Sequence, residues 1–132
     1  MKTILFACVH SAGRSQMAAA LFNHAVRRGA AVAIAAGTRP ADHIHAGVVD
    51  AMHEIGVDMS AATPRLLTDE LARRADMLVT MGCKEQCPYV PAQDRLDWKL
   101  DDPKGRPPEE VRRIRDEIRA LVDELLREHG WV

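Results

Sequence analysis

Apolar residues along this chain follow two periods that alternate from the N-terminus onward. Thr3-Ile4-Leu5-Phe6-Ala7 is a nearly continuous apolar run ending at a loop of small residues, the pattern of a strand buried on both faces. From Arg14, the residues Met17, Ala18, Leu21, Phe22, Ala25 and Val26 recur at helical spacing, with Gly29 as the expected C-terminal stop. Ala31-Val32-Ala33-Ile34-Ala35 predicts a second strand, broken by Gly37-Thr38-Arg39-Pro40. Val48, Val49, Met52 and Ile55 then mark one face of a helix running from near His45 to Ile55, ahead of Gly56. A short helix is expected around Thr68 to Arg74 with Thr68 as its N-cap. Met77-Leu78-Val79-Thr80-Met81 predicts a third strand, and Arg95 to Leu100 a weaker fourth. The last helix has the plainest signal. Pro107 and Pro108 suit its entry, and Val111, Ile114, Ile118, Leu121, Val122 and Leu125 form an apolar stripe opposite a face of Arg and Glu. Strands alternating with helices predict an α/β fold, a four-stranded parallel sheet with helices on both faces and ligands bound beyond the carboxyl ends of the strands.

A length of 132 residues fits a single domain spanning 1–132. Eighteen Lys and Arg against nineteen Asp and Glu leave a net charge of -1, so no global field draws the chain to nucleic acid or to a membrane. Two Phe, two Trp and one Tyr also argue against a base-stacking surface and leave the core to aliphatic residues and Met. Apolar runs such as Ile4 to Val9 fall far short of the ~20 residues that span a bilayer. Met1-Lys2 leads straight into a strand pattern rather than a signal peptide, so a cytoplasmic location is expected. In a reducing compartment, three cysteines are candidates for catalysis, redox chemistry or metal binding rather than for a disulfide framework.

The chemistry concentrates in Cys8-Val9-His10-Ser11-Ala12-Gly13-Arg14-Ser15, where a strand ends and a helix begins. A loop wrapping into a helix N-terminus points successive backbone N–H groups inward, and the helix dipole adds positive potential where a tetrahedral oxyanion would lie. Val9, His10, Ser11, Ala12, Gly13 and Arg14 are therefore the expected oxyanion-binding residues. The same field favours a thiolate, the nucleophilic form, at the position of Cys8. Arg14 offers a planar fork of donors for two equatorial oxygens, and Ser15 can donate a hydroxyl to the Cys8 sulfur.

Together with Gln16-Met17-Ala18, Ala36-Gly37-Thr38, Val79-Thr80-Met81-Gly82-Cys83, Cys87-Pro88, Trp98 and Asp101-Asp102-Pro103, this loop resembles the low-molecular-weight tyrosine phosphatase family over nearly the whole chain. Within that family it is similar to the arsenate reductases coupled to thioredoxin or mycothiol. Gln16-Met17-Ala18 looks like the reductases, whereas phosphatases commonly put proline after the loop serine. The resemblance implies that Asp102 protonates the leaving oxygen, with Asp101 the lesser candidate. It also implies a relay: Cys8 attacks arsenate, Cys83 attacks Cys8 and releases arsenite, and Cys87 captures Cys83. The resulting Cys83–Cys87 disulfide passes to an external reductant by thiol exchange, with no bound cofactor. Cys83 and Cys87 follow the third strand directly, and in a parallel sheet that places them on the same edge as Cys8. Because the mycothiol-coupled enzymes need only the first cysteine in the protein, the pair favours thioredoxin over mycothiol and mycoredoxin.

Three departures from the family pattern stand out. The Cys83 to Cys87 spacing is shorter than in the best-known thioredoxin-coupled members. Ser11 replaces an asparagine that tolerates left-handed backbone. Relatives that bind potassium near the loop use polar or acidic residues where this chain has Ser11, Ala19, Ala35 and Arg65, so no such site is expected. A metal held by Cys83, Cys87 and one of six histidines lacks the second close ligand pair of a closed zinc site, and no metal is expected there either. His10 can lie near the anion, whereas His43, His45 and His53 show no persuasive partner, and Arg112 to Arg119 reads as a solvated face. Three readings remain beside the reductase: a low-molecular-weight phosphatase, a non-catalytic oxyanion or arsenite binder, and a redox-switch interaction module. A monomer is expected.

Overall fold

Residues 1–83, 87, 88, 90, 91 and 93–132 are described by a computed structural model. The elements run β1 (Lys2–Cys8), α1 (Arg14–Ala25), β2 (Ala31–Gly37), α2 (Ala46–His53), α3 (Asp69–Arg74), β3 (Met77–Thr80), β4 (Asp94–Asp97) and α4 (Pro108–His129). The strands form one sheet in the order β2-β1-β3-β4. All three pairings are parallel, with Cys8 opposite Gly37, Ala7 opposite Thr80 and Thr80 opposite Asp97. The chain steps from β1 outward to β2 and then crosses back to β3 on the other side. That reversal opens a crevice beyond the carboxyl end of β1, where Cys8 stands.

Alternation along β1 sends Ile4, Phe6 and Cys8 to one face and Leu5 and Ala7 to the other. The first face carries the larger cluster, in which Phe6 meets Phe22 of α1 at 6.0 Å and Trp98 at 5.5 Å between ring centroids. Val48 and Met52 of α2 and the α4 stripe Val111, Ile114, Ile118, Val122 and Leu125 complete it. The second face is covered by Leu67, by Ala72 and Leu71 of α3, and by Ala75, Cys83 and Cys87. Helices thus cover both faces, three on one and the short α3 on the other. Thr68 caps α3 as expected, accepting the Leu71 N–H at 3.1 Å, and Gly130 ends α4 with φ 69°.

Several expectations need correction. Helix α1 stops at Ala25 rather than at Gly29, because Val26 turns extended and the Arg27 N–H pairs with the Trp131 carbonyl at 2.5 Å. The fourth strand is Asp94–Asp97, not Arg95 to Leu100, and all four of its residues are exposed. Asp94, Arg95 and Asp97 make that edge a poor template for further pairing, and Trp98 leaves the strand for the core. The Lys84-Glu85-Gln86 stretch between the two cysteines lies outside the described residues. Nor is the Arg112 to Arg119 face wholly solvated. Arg115 is buried, donating to the Ala51 carbonyl at 2.8 Å and to Glu54 at 3.0 Å, while Arg112 grips the same Glu54 at 2.8 Å.

This clamp fastens the end of α2 to α4. Hydrogen bonds from Arg112, and then from Arg115, hold the Glu54 carboxyl down from 4.5 to about 2. Its folded-state value is depressed, so the stabilisation is fully present above the unfolded value and fades as pH falls through the folded one. Glu54→Gln should therefore melt below the parent at neutral pH, and the two melting curves should converge as pH approaches 2. A gap that persisted at pH 2 in thermal scans would show that the clamp does not act through this ionisation.

Candidate active site

The loop from Cys8 to Arg14 takes its shape from the segment that follows β2. The Cys8 carbonyl accepts the Thr38 N–H (3.2 Å), Val9 that of Arg39 (2.8 Å), His10 that of Ala41 (2.9 Å) and Ala12 that of His45 (3.0 Å). The Gly13 carbonyl starts α1 by accepting from Met17 at 2.9 Å. With these carbonyls turned outward, the N–H groups that share their peptide planes, those of Val9, His10, Ser11 and Gly13, point the other way, and no N–H from Val9 to Gly13 has an acceptor among the described residues. Gly13 caps α1 without a side-chain hydrogen bond, which leaves the first-turn amides free as well. Such convergence of unpaired donors at a helix N-terminus suits an oxyanion. Gly37 allows the close packing this requires, since a Cβ there would stand 2.6 Å from the Val9 carbonyl and 2.8 Å from the Ser11 nitrogen.

Cys8 is 2% exposed, and its Sγ lies 3.0 Å from the Ser15 hydroxyl. The thiol donates in that contact, and the hydroxyl becomes the donor once the sulfur is a thiolate. Arg14 donates from Nη1 to the Leu100 carbonyl at 3.2 Å. Its guanidinium lies against Gly82, where a Cβ would stand 2.7 Å from Nη1. Gly82 also has φ 92°, so two independent constraints call for glycine there. Arg14 borders a cleft of about 590 Å³ that continues past Trp98 and Lys99.

The Asp101-Asp102-Pro103 turn sits directly on the loop, with Pro103 Cγ 2.8 Å from where a Gly13 Cβ would be. The two acids are in different settings. Asp101 accepts from Arg113 at 2.9 Å, and that bond, aided by Arg106, holds its carboxyl below the usual range. Asp102 accepts the Lys104 N–H at 3.0 Å and has no ion-pair partner among the described residues. His45, which had no partner in the sequence, proves to belong here. Its N–H holds the Ala12 carbonyl, and its ring packs against Gly13. Burial lowers its proton affinity while the neighbouring Asp102 opposes the shift. No motif or spacing could have revealed this, because the α1, β2 and α2 entry segments meet only in the fold. The His10 ring nitrogen Nδ1 lies 3.3 Å from the Arg39 carbonyl oxygen.

Cys83 and Cys87 are joined as a disulfide with their Cα atoms 5.4 Å apart, and both are buried. The shared sheet edge is only part of their geometry. Cys83 Sγ lies 3.9 Å from the Ala7 carbonyl oxygen, within the second cluster, whereas Cys8 belongs to the first. With the pair closed, the two cysteine sites occupy opposite faces. Ala19, Ala35 and Arg65 line a separate cleft of about 290 Å³, and among the described residues no three His, Cys, Asp or Glu side chains group to hold a metal. No helix among the described residues is long and apolar enough to cross a membrane.

A cysteine at the switch point of a parallel sheet, under a carbonyl-out loop that ends in arginine, defines the phosphatase-loop class of α/β proteins. The profile described as "Low molecular weight phosphotyrosine protein phosphatase" matches residues 3–129, and the chain belongs to that family. It is 40% identical over 127 residues to a Halobacterium salinarum protein named "Putative arsenate reductase", covering 93% of this chain and 89% of that one. Among solved structures it resembles a Corynebacterium glutamicum thioredoxin-dependent arsenate reductase at TM-score 0.86 and 38% identity, over 98% of this chain. This chain spans 62% of that protein. An arginine phosphatase from Geobacillus stearothermophilus superposes at TM-score 0.86 with 26% identity, over 97% of this chain and 92% of its own.

The Arg14 packing yields a direct test. Gly82→Ala should push the guanidinium off its seat and weaken inorganic phosphate binding by at least about tenfold, in line with loss of a charge-assisted fork. Calorimetric titration showing parent-like affinity would mean that Arg14 does not depend on Gly82.

Proposed function

We propose that this protein is an arsenate reductase, with Cys8 as nucleophile and Cys83 and Cys87 as its resolving pair. The observation that carries the reading is the Cys83–Cys87 disulfide at the same sheet edge as the Cys8 loop, across the sheet from it, because ester hydrolysis has no use for a redox pair. In this scheme the N–H groups of Val9 to Gly13 and the Arg14 guanidinium hold the arsenate oxygens. The Cys8 thiolate, supported by the Ser15 hydroxyl, attacks arsenic. A proton from Asp102 lets one oxygen depart as water. Asp102 suits that role better than Asp101, whose bond to Arg113 keeps it ionised.

Cys83 then attacks the Cys8 sulfur. The electron pair of the sulfur–arsenic bond stays on arsenic, which leaves as arsenite, and a Cys8–Cys83 disulfide forms. Attack by Cys87 on Cys83 releases the Cys8 thiolate and leaves the Cys83–Cys87 disulfide. An external dithiol reduces it, taking up the two oxidising equivalents. Thioredoxin is the favoured reductant, supported by the pair itself and by the thioredoxin-dependent Corynebacterium relative. Mycothiol with mycoredoxin is the alternative, and it would leave Cys83 and Cys87 idle. The second reading is a phosphatase, favoured by the likeness to the Geobacillus arginine phosphatase. Loop and acid serve both reactions, so some ester hydrolysis is expected even of a reductase.

The test is arsenate-dependent NADPH oxidation with thioredoxin and its reductase, run beside a mycothiol–mycoredoxin system and an aryl phosphate assay. Cys8→Ser should abolish every activity, while Cys83→Ser and Cys87→Ser should lose thioredoxin-supported turnover and keep ester hydrolysis. Asp102→Asn should lower turnover by about 10²- to 10⁴-fold, the usual scale of general acid catalysis. Brisk hydrolysis with no arsenate turnover in either reducing system would make the protein a phosphatase. Loss of hydrolysis in a folded Cys83→Ser would overturn the division of roles.

A further inference from the structure

The anion loop contains one backbone conformation that its sequence does not favour. Ser11 has φ 51°, the only non-glycine in the left-handed region among the described residues, and it is 0% exposed. That conformation sits mid-loop, between the outward carbonyls of His10 and Ala12, with the Ser11 amide opposed to the His10 carbonyl in their shared peptide plane. Serine gains little from this conformation by itself, since its Cβ crowds the neighbouring backbone. Something outside the loop must hold it.

The partner is Gln16, on the first turn of α1 and 6% exposed. Its Nε2 donates to Ser11 Oγ at 3.0 Å and to the Thr63 carbonyl at 3.1 Å. The orientation of the carboxamide follows from the partners, because turning it over would set its oxygen against the Thr63 carbonyl oxygen. Both amide protons are therefore committed, one to the loop and one to the segment ahead of α3. That segment is itself anchored to the sheet by the Gly37 N–H on the Arg65 carbonyl at 2.8 Å.

We propose that Gln16 is a positioning residue for the anion loop: its carboxamide holds Ser11 in the left-handed backbone on which the inward aim of the loop amides depends, and so sets the affinity for a tetrahedral oxyanion. Gln16 acts through Ser11. The inference rests on the reading of the loop as an oxyanion site, but not on arsenate being the substrate.

The experiment measures protection of Cys8 from iodoacetamide by inorganic phosphate, giving a phosphate Kd without any turnover. Gln16→Met keeps the length and removes both donors, and Ser11→Ala removes the acceptor without touching the helix. Each should raise the Kd by about 5- to 30-fold, the scale set by the left-handed penalty. Because the two act through one bond, the double variant should be no worse than either single change. Ser11→Gly placed in Gln16→Met should bring the Kd back to within about threefold of the parent, since glycine adopts this backbone unaided. A merely structural role for Gln16 would not be repaired by that change. The proposal is overturned if Gln16→Met binds phosphate like the parent, or if glycine at position 11 gives no recovery. Should Gln16→Met not fold, parent-like binding by Ser11→Ala overturns it equally. A parent that phosphate protects but that reduces no arsenate sinks the reductase reading alone, whereas a parent that phosphate does not protect sinks both.

Discussion

Everything the site can do depends on where a few carbonyl groups point. A peptide unit has two opposed ends, and a loop can offer its N–H groups to a ligand only if its oxygens are satisfied elsewhere. Here the satisfaction comes from Thr38, Arg39, Ala41 and His45, the stretch between β2 and α2. That stretch can lie so close only because Gly37 lacks a side chain. The pairing of β1 with β2 is thus more than scaffolding, since it delivers the donors that turn the loop inside out.

Much of this was legible in the sequence, and the reason is periodicity. The apolar run of β1, the heptad-like stripe of α4 and the proline entry to that helix are local signals that the fold obeyed with small shifts at the ends. The Cys8 to Arg14 spacing likewise brought a thiol, unpaired amides and a guanidinium into one loop. What local pattern could not carry was contact between distant segments. His45 joins the site because its backbone claims Ala12, and Arg115 is buried because Ala51 and Glu54 wait opposite it. The strand expected to reach Leu100 ended at Asp97 because Trp98 had a better place against Phe6. In each case tertiary packing overrode a signal that was locally sound.

The Asp-Asp pair shows how neighbours of one residue type are divided by their surroundings. Asp101 is bound to a guanidinium that also holds Glu110 and Glu117, so it anchors the turn to α4. Asp102 makes no such bond among the described residues and accepts only the Lys104 N–H. The difference lies in position alone, since the two residues are chemically identical and only Asp101 falls within reach of Arg113.

The alternation of side chains along β1 has a consequence for how the molecule ages and changes. Ala7 and Cys8 are adjacent in sequence yet look out on opposite sides of the sheet, and the closed disulfide shelters behind Ala7. The sheet is therefore a partition, with the Cys8 loop on one side and the cysteine pair on the other. With the pair closed, Cys8 is a free thiol and its side of the sheet carries no cross-link among the described residues. A change to the cysteine pair on one side of the wall therefore falls among Leu5, Ala7, Leu67 and Leu78, and not among the residues packed around Cys8 on the other.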